Sequence, residues 1–368
     1  MENKKEKRYQ PPTVKDIARE AKVSTTTVSL ALSNLKTSRV SAPTRKKILE
    51  IAERLNYKPN YIARSLVSKK THSIGLVVTT LLNPFYAEIA QDIIDRATAL
   101  GYSVSTCSAR AGLHEERVCV EEFLNRGKDG LIICSALRKD PLIYELADQG
   151  VPFVLAMRDV KQHPGNPPID HVGLDNRRGA FMAVEHLIKM GHKRIALISG
   201  PNETSTGYDR QKGALAAFEM HGMVMDPHLV LIGDFFRLSG YRITRDLLQR
   251  IERPTAIFAA NDHMAIGAID ALHEEGLSVP EDMALIGFDD IEMAGIPGID
   301  LTTVSQKKAT MGRLAVDHLI ANIKGDSEYI VQRTILNPIL VIRNSCGFHA
   351  QGRVYELGEN KAVALAMG

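Results

Sequence analysis

The sequence predicts an α/β body of two similar parallel-sheet subdomains, preceded by a small all-α N-terminal domain. Its 368 residues suffice for two or three domains. From residue 73 onward, short apolar runs alternate with longer amphipathic ones, which is typical of parallel strands covered by helices. Residues 1–70 hold 17 Lys and Arg against 6 Asp and Glu, whereas the other 298 residues hold 29 against 37. This difference separates a basic head from an acidic body and indicates that the head binds a polyanion.

The basic head contains helical patterns, which argue against the alternative of a disordered basic tail. Thr13 and Ser24 are placed to cap helices over residues 15–21 and 25–32, and Ser41 with Pro43 opens a third. The first two helices share an apolar seam at the spacing of a helix-turn-helix, in which the second helix enters the major groove of DNA. The seam consists of Ile17, Ala18, Ala21, Val23, Val28 and Ala31. The exposed face of the second helix carries the short polar side chains of Thr25, Thr26, Thr27 and Ser29.

The body contains seven apolar runs that predict buried strands. They are Ile74–Val78, Ser103–Thr106, Gly130–Cys134, Pro152–Ala156, Arg194–Ser199, Thr255–Ala260 and Met283–Gly287. Their order repeats after roughly 120–130 residues, which predicts two similar subdomains with a cleft between them. Ligands of open α/β sheets bind at the carboxyl ends of the strands. The residues there combine Arg, amides, carboxylates and aromatics, a set that suits a polyhydroxylated ligand. Capping of the following helix is the alternative role for Asp and Asn at these positions.

Several function classes are disfavoured. The apolar runs are far shorter than the roughly 20 residues that span a bilayer, and the Lys-rich start does not resemble a signal peptide. The chain has no G-x-G-x-x-G after the first strand, no Walker loop, no G-x-S-x-G and no H-E-x-x-H, so we expect no cofactor, no metal and no catalysis. Cys107, Cys119, Cys134 and Cys346 are widely spaced, which predicts no disulfide framework and favours the cytoplasm.

Three consecutive segments resemble the lactose/galactose repressor family of bacterial transcriptional regulators. Residues 14–33, with the sequence VKDIAREAKVSTTTVSLALS, resemble the DNA-binding head of that family. Residues 41–57 resemble its third helix, and Tyr61-Ile-Ala-Arg-Ser-Leu resembles its hinge. The likeness continues to about residue 347, and it implies a periplasmic-binding-protein-like body.

The resemblance implies a DNA-contacting set in the head and hinge. Thr25 and Thr26 match base-contacting positions, whereas Leu30 stands where the family commonly has Arg or His. Leu30 offers only apolar contact, for instance to a thymine methyl. Leu66 matches a residue that wedges into a minor-groove step, with a plain linker as the alternative. The full predicted set is Thr13, Ser24, Thr25, Thr26, Thr27, Ser29, Leu30, Asn34, Tyr61, Ala63, Arg64 and Leu66.

The body is similar to the periplasmic sugar-binding proteins, and this likeness implies an effector site. The predicted effector-binding residues are Asn83, Phe85, Tyr86, Ser135, Arg158, Arg210, Asn261, Asp289 and Gln306. Met157 stands where pentose binders often have Asp, which removes one acceptor for a hydroxyl.

The expected organisation follows the family. It comprises a disordered basic arm (1–12), a helix-turn-helix domain (13–59), a hinge helix and linker (60–72), an N-terminal effector subdomain (73–172 and 305–333), a C-terminal effector subdomain (173–304 and 334–348) and a tail (349–368). We expect a homodimeric, sugar-responsive repressor that binds a palindromic operator and no membrane. A sugar receptor without a DNA role and a cytoplasmic carbohydrate enzyme are the alternatives. The tail lacks a leucine heptad, which predicts no tetramerising coiled coil.

Overall fold

The computed structural model describes residues 12–32, 40–57, 70–110, 112–161, 165–325 and 329–348. The chain divides into two compact units, residues 1–71 and 72–368. None of the helices in the described ranges is both long enough and apolar enough to cross a membrane.

The head is a three-helix unit with a small apolar core. Its helices are α1 (Val14–Ala21), α2 (Thr25–Leu32) and α3 (Ala42–Arg54). The predicted seam is confirmed, because Ile17 and Val28 are fully buried and pack with Ile48 and Ile51 of α3. Apolar contact among these short helices supplies stability that none of them would have alone.

The turn between α1 and α2 has a left-handed residue that is not glycine. Lys22 has φ +58° and ψ +45°, and its backbone N–H donates to the carbonyl of Ala18. Lys47 supports the same end of α1, since its Nζ donates to the Ala21 carbonyl at 3.2 Å. The left-handed conformation destabilises a residue with a Cβ by about 1 kcal/mol relative to glycine.

The first half of the body is a six-stranded parallel sheet with helices on its faces. In chain order its elements are β1 (Ser73–Val78), α4 (Pro84–Ala99), β2 (Ser103–Ser108), α5 (Leu113–Asn125), β3 (Gly130–Ile133), α6 (Pro141–Asp148), β4 (Phe153–Ala156) and β5 (His171–Leu174). A later strand, β11 (Arg333–Leu336), joins the edge, and the order is β11-β5-β4-β3-β1-β2. The central strands β1, β3 and β4 are buried along their whole length.

The second half repeats this plan with four parallel strands. Its elements are α7 (Asn176–Lys189), β6 (Ile195–Ser199), α8 (Ser205–Met220), β7 (Val230–Ile232), α9 (Arg237–Leu248), β8 (Ala256–Ala259), α10 (Asp262–Glu274) and β9 (Ala284–Ile286). The strand order is β7-β6-β8-β9. Strands β6 and β8 occupy the places that β1 and β3 have in the first sheet, so the predicted repeat of the strand order is confirmed.

The chain crosses between the two halves three times. After β5 it enters the second half, and after β10 (Thr303–Ser305) it returns as α11 (Lys308–Lys324), which packs on α4. It then adds β11 to the first sheet, and β12 (Ile339–Val341) pairs antiparallel with β10. The expected divisions after residues 172 and 333 fall inside β5 and β11, and both strands belong entirely to the first sheet. The seven predicted strands are present, whereas β5, β7, β10, β11 and β12 were not predicted from the sequence.

The expectation of no disulfide is wrong for one pair of cysteines. Cys107 of β2 and Cys119 of α5 form a disulfide with a Cα–Cα distance of 5.8 Å, whereas Cys134 and Cys346 are buried free thiols. Helix α5 folds back onto the strand that precedes it, which brings together cysteines 12 residues apart. Sequence spacing alone carries no information on this approach.

Candidate functional site

The exposed face of α2 is the candidate surface on the head. Thr25, Thr26 and Ser29 are exposed there, and Leu30 keeps 38% of its surface accessible. Val28 and Ala31 on the opposite face are buried, so core packing holds the helix and leaves the other face exposed. The arrangement agrees with the sequence-predicted one.

Other predicted head residues have structural roles. Thr13 donates from its backbone N–H at 2.9 Å and from its hydroxyl at 2.7 Å to Asp16, and these hydrogen bonds lower the pKa of Asp16. Ser24 caps α2, since its Oγ accepts from the Thr27 N–H at 3.0 Å and also contacts the Thr27 hydroxyl. The predicted Asn34, Tyr61, Ala63, Arg64 and Leu66 lie outside the described residues.

The body has a cavity of about 220 Å³ between its two halves, at the carboxyl ends of the strands. The first half contributes Thr79, Thr80, Asn83, Tyr86, Leu137 and Arg158, and the second half contributes Pro201, Glu203, Thr204, Asp234, Phe235 and Phe236. Asn83, Tyr86 and Arg158 were predicted from the sequence. The other nine were not predicted. Several of them directly follow predicted strands, and the rule that ligands bind at the carboxyl ends of strands would have identified those residues if it had been applied to every strand.

The wall from the first half is set by the start of α4. The Tyr86 hydroxyl accepts from the Thr79 hydroxyl at 3.1 Å, which fixes the phenol in the cavity wall. Asn83 caps α4, because its Oδ1 accepts from the Phe85 N–H at 3.1 Å. Phe85 is only 2% exposed and packs edge-on against Tyr86, so it supports the wall from behind.

Arg158 enters the cavity from the loop after β4. Its Nη1 donates to the Ser135 carbonyl at 3.1 Å, and the Ser135 hydroxyl donates to the buried Glu116. Burial, followed by the nearby Asp140 carboxylate, raises the pKa of Glu116 to about 8. Ser135 therefore does not line the cavity but holds Arg158 in place.

Phe235 forms the opposite wall in a strained conformation. Its φ is +70°, which is rare for a bulky side chain and is found mainly at functional positions. Its carbonyl accepts from Asn261 Nδ2 at 3.0 Å, while Asn261 Oδ1 caps α10 at the Met264 N–H. A Cβ at Gly200 would lie 2.1 Å from the Phe235 ring, so only glycine at position 200 leaves room for it. Asn261 thus acts behind the wall.

Arg210, Asp289 and Gln306 form a buried cluster beside the cavity. Arg210 Nη1 lies 3.2 Å from Asp289 Oδ1, and Gln306 Nε2 donates to the same oxygen at 2.5 Å. The Arg210 guanidinium also stacks on the Phe288 ring at 3.7 Å. Burial raises the pKa of Asp289 to about 6, and Arg210 opposes that rise. These three predicted residues are brought together by the fold, but none of them lines the cavity in this structure.

Direct contacts hold the two halves together beside the cavity. The Arg138 N–H donates to the Glu203 carbonyl at 2.8 Å, and its guanidinium lies 3.7 Å from the centre of the Tyr208 ring. The Asp159 N–H donates to the Ser205 hydroxyl at 2.8 Å. Since α8 carries Ser205 and Tyr208, separation of the halves would break all three contacts.

Comparison with known proteins identifies the family of the head and the fold of the body. A family model described as bacterial regulatory proteins, lacI family, matches residues 13–60, and one for a periplasmic binding protein-like domain matches residues 184–346. The HTH-type transcriptional repressor PurR of Haemophilus influenzae, strain PittEE, is 37% identical over 336 residues, which cover 90% of this chain and 98% of that protein.

Solved structures show the same architecture. The lac repressor dimer bound to operator and the anti-inducer ONPF is 31% identical, with a TM-score of 0.81, and the alignment covers 92% of this chain and 99% of that one. The complex of the transcriptional regulator CelR with cellobiose is 32% identical, with a TM-score of 0.67 and coverage of 91% and 99%.

Proposed function

The chain belongs to the lacI family of bacterial regulatory proteins, and on that premise we propose that it is a sugar-responsive repressor acting as a homodimer on a palindromic operator in the cytoplasm. It is a DNA-binding transcriptional regulator whose relatives are repressors and not enzymes. The observation that carries the proposal is that one chain has a helix with an exposed polar face in its head and a cavity lined by polar and aromatic side chains in its body.

The head supports specific DNA binding through α2. Hydroxyls of Thr25, Thr26 and Ser29 can donate to base edges or phosphates and accept from them. Leu30 adds an apolar group suited to a thymine methyl. Two heads related by a dimer axis would place their α2 helices about one helical turn of DNA apart, on inverted half-sites.

The cavity supports a small polyhydroxylated effector. Tyr86 and Phe235 provide aromatic faces for the C–H side of a sugar ring, and Thr79, Thr80, Asn83 and Thr204 provide polar groups. Cellobiose is the ligand of CelR in its complex, which makes a sugar or sugar derivative the first class to test here.

The contacts between the halves suggest how an effector would control DNA binding. A ligand that contacts both halves favours the closed arrangement by its difference in affinity between the closed and open states. Through the hinge at residues 60–72, that arrangement would set the spacing of the two heads. An inducer would weaken operator binding and a corepressor would strengthen it, and the experiment distinguishes them by sign.

The DNA half of the proposal is tested with the full-length protein and a random-sequence duplex pool. We expect the selected duplexes to share inverted half-sites, and we expect Leu30→Ala to change the preferred base at one position of each half-site. Leu49→Ala, which removes a Leu that is 46% exposed on α3, is the matched control and should leave the selected sequence unchanged. Selection of no common sequence would contradict the proposal.

The effector half is tested by thermal shift against monosaccharides, disaccharides, sugar acids, sugar phosphates and nucleobases. A bound effector raises the unfolding temperature by mass action. A compound that does so should also change the affinity for the selected duplex. Stabilisation by nucleobases alone would contradict the sugar assignment.

A further inference from the structure

Arg158 is a buried cation in the cavity wall without an acidic partner. It is 3% exposed and makes one side-chain hydrogen bond, from Nη1 to the Ser135 carbonyl. Across the described residues, Nε and Nη2 donate to no protein atom, and no carboxylate lies within ion-pair distance of the guanidinium. Four of its five N–H donors thus remain for a ligand.

The other buried arginine near the cavity shows how this protein otherwise compensates such a charge. Arg210 is also 3% exposed, yet it pairs with Asp289 and donates from Nε to Asn176 at 2.8 Å. Both guanidinium groups lie over an aromatic ring, Arg210 at 3.7 Å from the centre of Phe288 and Arg158 at 6.0 Å from that of Phe235. An ion removed from water without a partner is strongly unfavourable, so buried charges are paired as a rule. Arg158, which lines the cavity, is an exception to that rule.

The acidic groups around Arg158 are neutral or already engaged. Burial raises the pKa of Glu116, on the far side of Ser135, to about 8, which favours the neutral form of this carboxyl group. Asp140 accepts from the Leu137 and Leu142 N–H groups, at 3.3 and 3.1 Å, as the cap of α6. Asp159 is paired with Arg333.

Two carboxylates that line the cavity are exposed to solvent. Glu203 and Asp234 are both exposed, and Asp234 accepts from the Phe236 N–H at 2.8 Å. Exposed charges are screened by water and salt, whereas a buried guanidinium is not. The unscreened charge of the cavity is therefore positive.

We propose that the effector carries an anionic group, a carboxylate or a phosphate, that binds Arg158. The guanidinium edge formed by Nε and Nη2 matches either group in a bidentate pair. The threonine hydroxyls and Asn83 then bind the polyol part of the same molecule. This inference rests on the proposed function only in taking the cavity as the effector site.

The test is calorimetric titration of the full-length protein with matched sugars. One series is glucose, glucuronate and glucose 6-phosphate, and the other is ribose, ribonate and ribose 5-phosphate. In at least one series we expect an anionic member to bind about tenfold or more tightly than its neutral parent, since charge-assisted hydrogen bonds are the stronger ones. A carboxylate ligand and a phosphate ligand are told apart by which member of the series binds.

The variant Arg158→Gln keeps hydrogen-bonding capacity and removes the charge. This variant should lose the preference for the anionic member of the series. The control variant Arg253→Gln removes an exposed positive charge outside the cavity lining and should keep that preference. Equal affinity for neutral and anionic sugars would overturn the inference while leaving a sugar-responsive regulator intact. A preference that survives in Arg158→Gln, or no binding by any anionic member, would also overturn it.

Discussion

Replacement of Glu116 by Gln tests the electrostatics of the buried groups behind Arg158. The Glu116 carboxyl has its ordinary pKa of 4.5 in the unfolded chain and a pKa raised to about 8 in the folded protein, first because of burial and then because of Asp140. The folded protein therefore holds a proton that the unfolded chain has already lost over this range. The contribution of Glu116 to the free energy of unfolding therefore falls as the pH rises from about 4.5 to about 8.

The size of the effect follows from the two pKa values. At 1.36 kcal/mol for each pH unit between them, ionisation of Glu116 destabilises the folded protein by about 5 kcal/mol above pH 8. Gln does not titrate, and its amide oxygen can still accept from the Ser135 hydroxyl. The variant should match the wild type in acid and become more stable than it as the pH rises.

Urea unfolding of the full-length protein, followed by far-UV circular dichroism from about pH 5 to about pH 9, measures this difference. Glu121→Gln, at an exposed position on the same helix α5, is the matched control and should run parallel to the wild type. A constant difference between Glu116→Gln and wild type across this range would refute the reasoning. It would mean that Glu116 is charged at neutral pH and compensates Arg158.

Three further substitutions test other parts of the molecule. Lys22→Gly should stabilise the head by about 1 kcal/mol because it relieves the left-handed backbone, while Lys46→Gly inside α3 should destabilise it by a similar amount. Urea unfolding of both variants checks this, and equal signs would contradict it. Arg138→Ala removes the guanidinium contact with Tyr208 and keeps both hydrogen bonds that main-chain N–H groups donate between the halves. It should favour separation of the halves and raise the radius of gyration in small-angle X-ray scattering, and an unchanged radius would show that the Tyr208 contact does not hold the halves together. Arg210→Gln should destabilise the body by about 3–5 kcal/mol, because it leaves the buried Asp289 unpaired. A loss below about 1 kcal/mol would place Asp289 in the neutral form.

Much of the fold could be predicted because its signals are local. Apolar residues at helical spacing predict the seam between α1 and α2, and continuous apolar runs predict the buried strands β1, β3, β6 and β8. The edge strand β11 joins a sheet whose other strands lie more than 150 residues earlier in the chain. The pattern of its four residues does not predict that β11 pairs with β5. The Cys107–Cys119 pair depends likewise on how α5 packs.

The sequence predicted the position of the candidate site better than the roles of its individual side chains. Placing the site after the strands identified Asn83, Tyr86 and Arg158 correctly as cavity residues. The same rule does not tell a ligand-facing side chain from one that acts behind the wall, as Asn261 does for Phe235. That distinction depends on hydrogen bonds between segments far apart in the chain. The strained φ of Phe235 has no sequence signal, since glycine is the residue that such a backbone favours.

The central claim is that occupation of the cavity in the body changes how the head binds DNA. Fluorescence anisotropy of the selected duplex, with and without the compound that stabilises the protein, measures this coupling most directly in the wild type and in Phe235→Ala. We predict that the compound shifts the duplex affinity of the wild type by about tenfold, which is a coupling of about 1.4 kcal/mol. We predict the same affinity for both proteins without the compound and no shift in the variant. An affinity that is unchanged by saturating compound in the wild type would contradict the account.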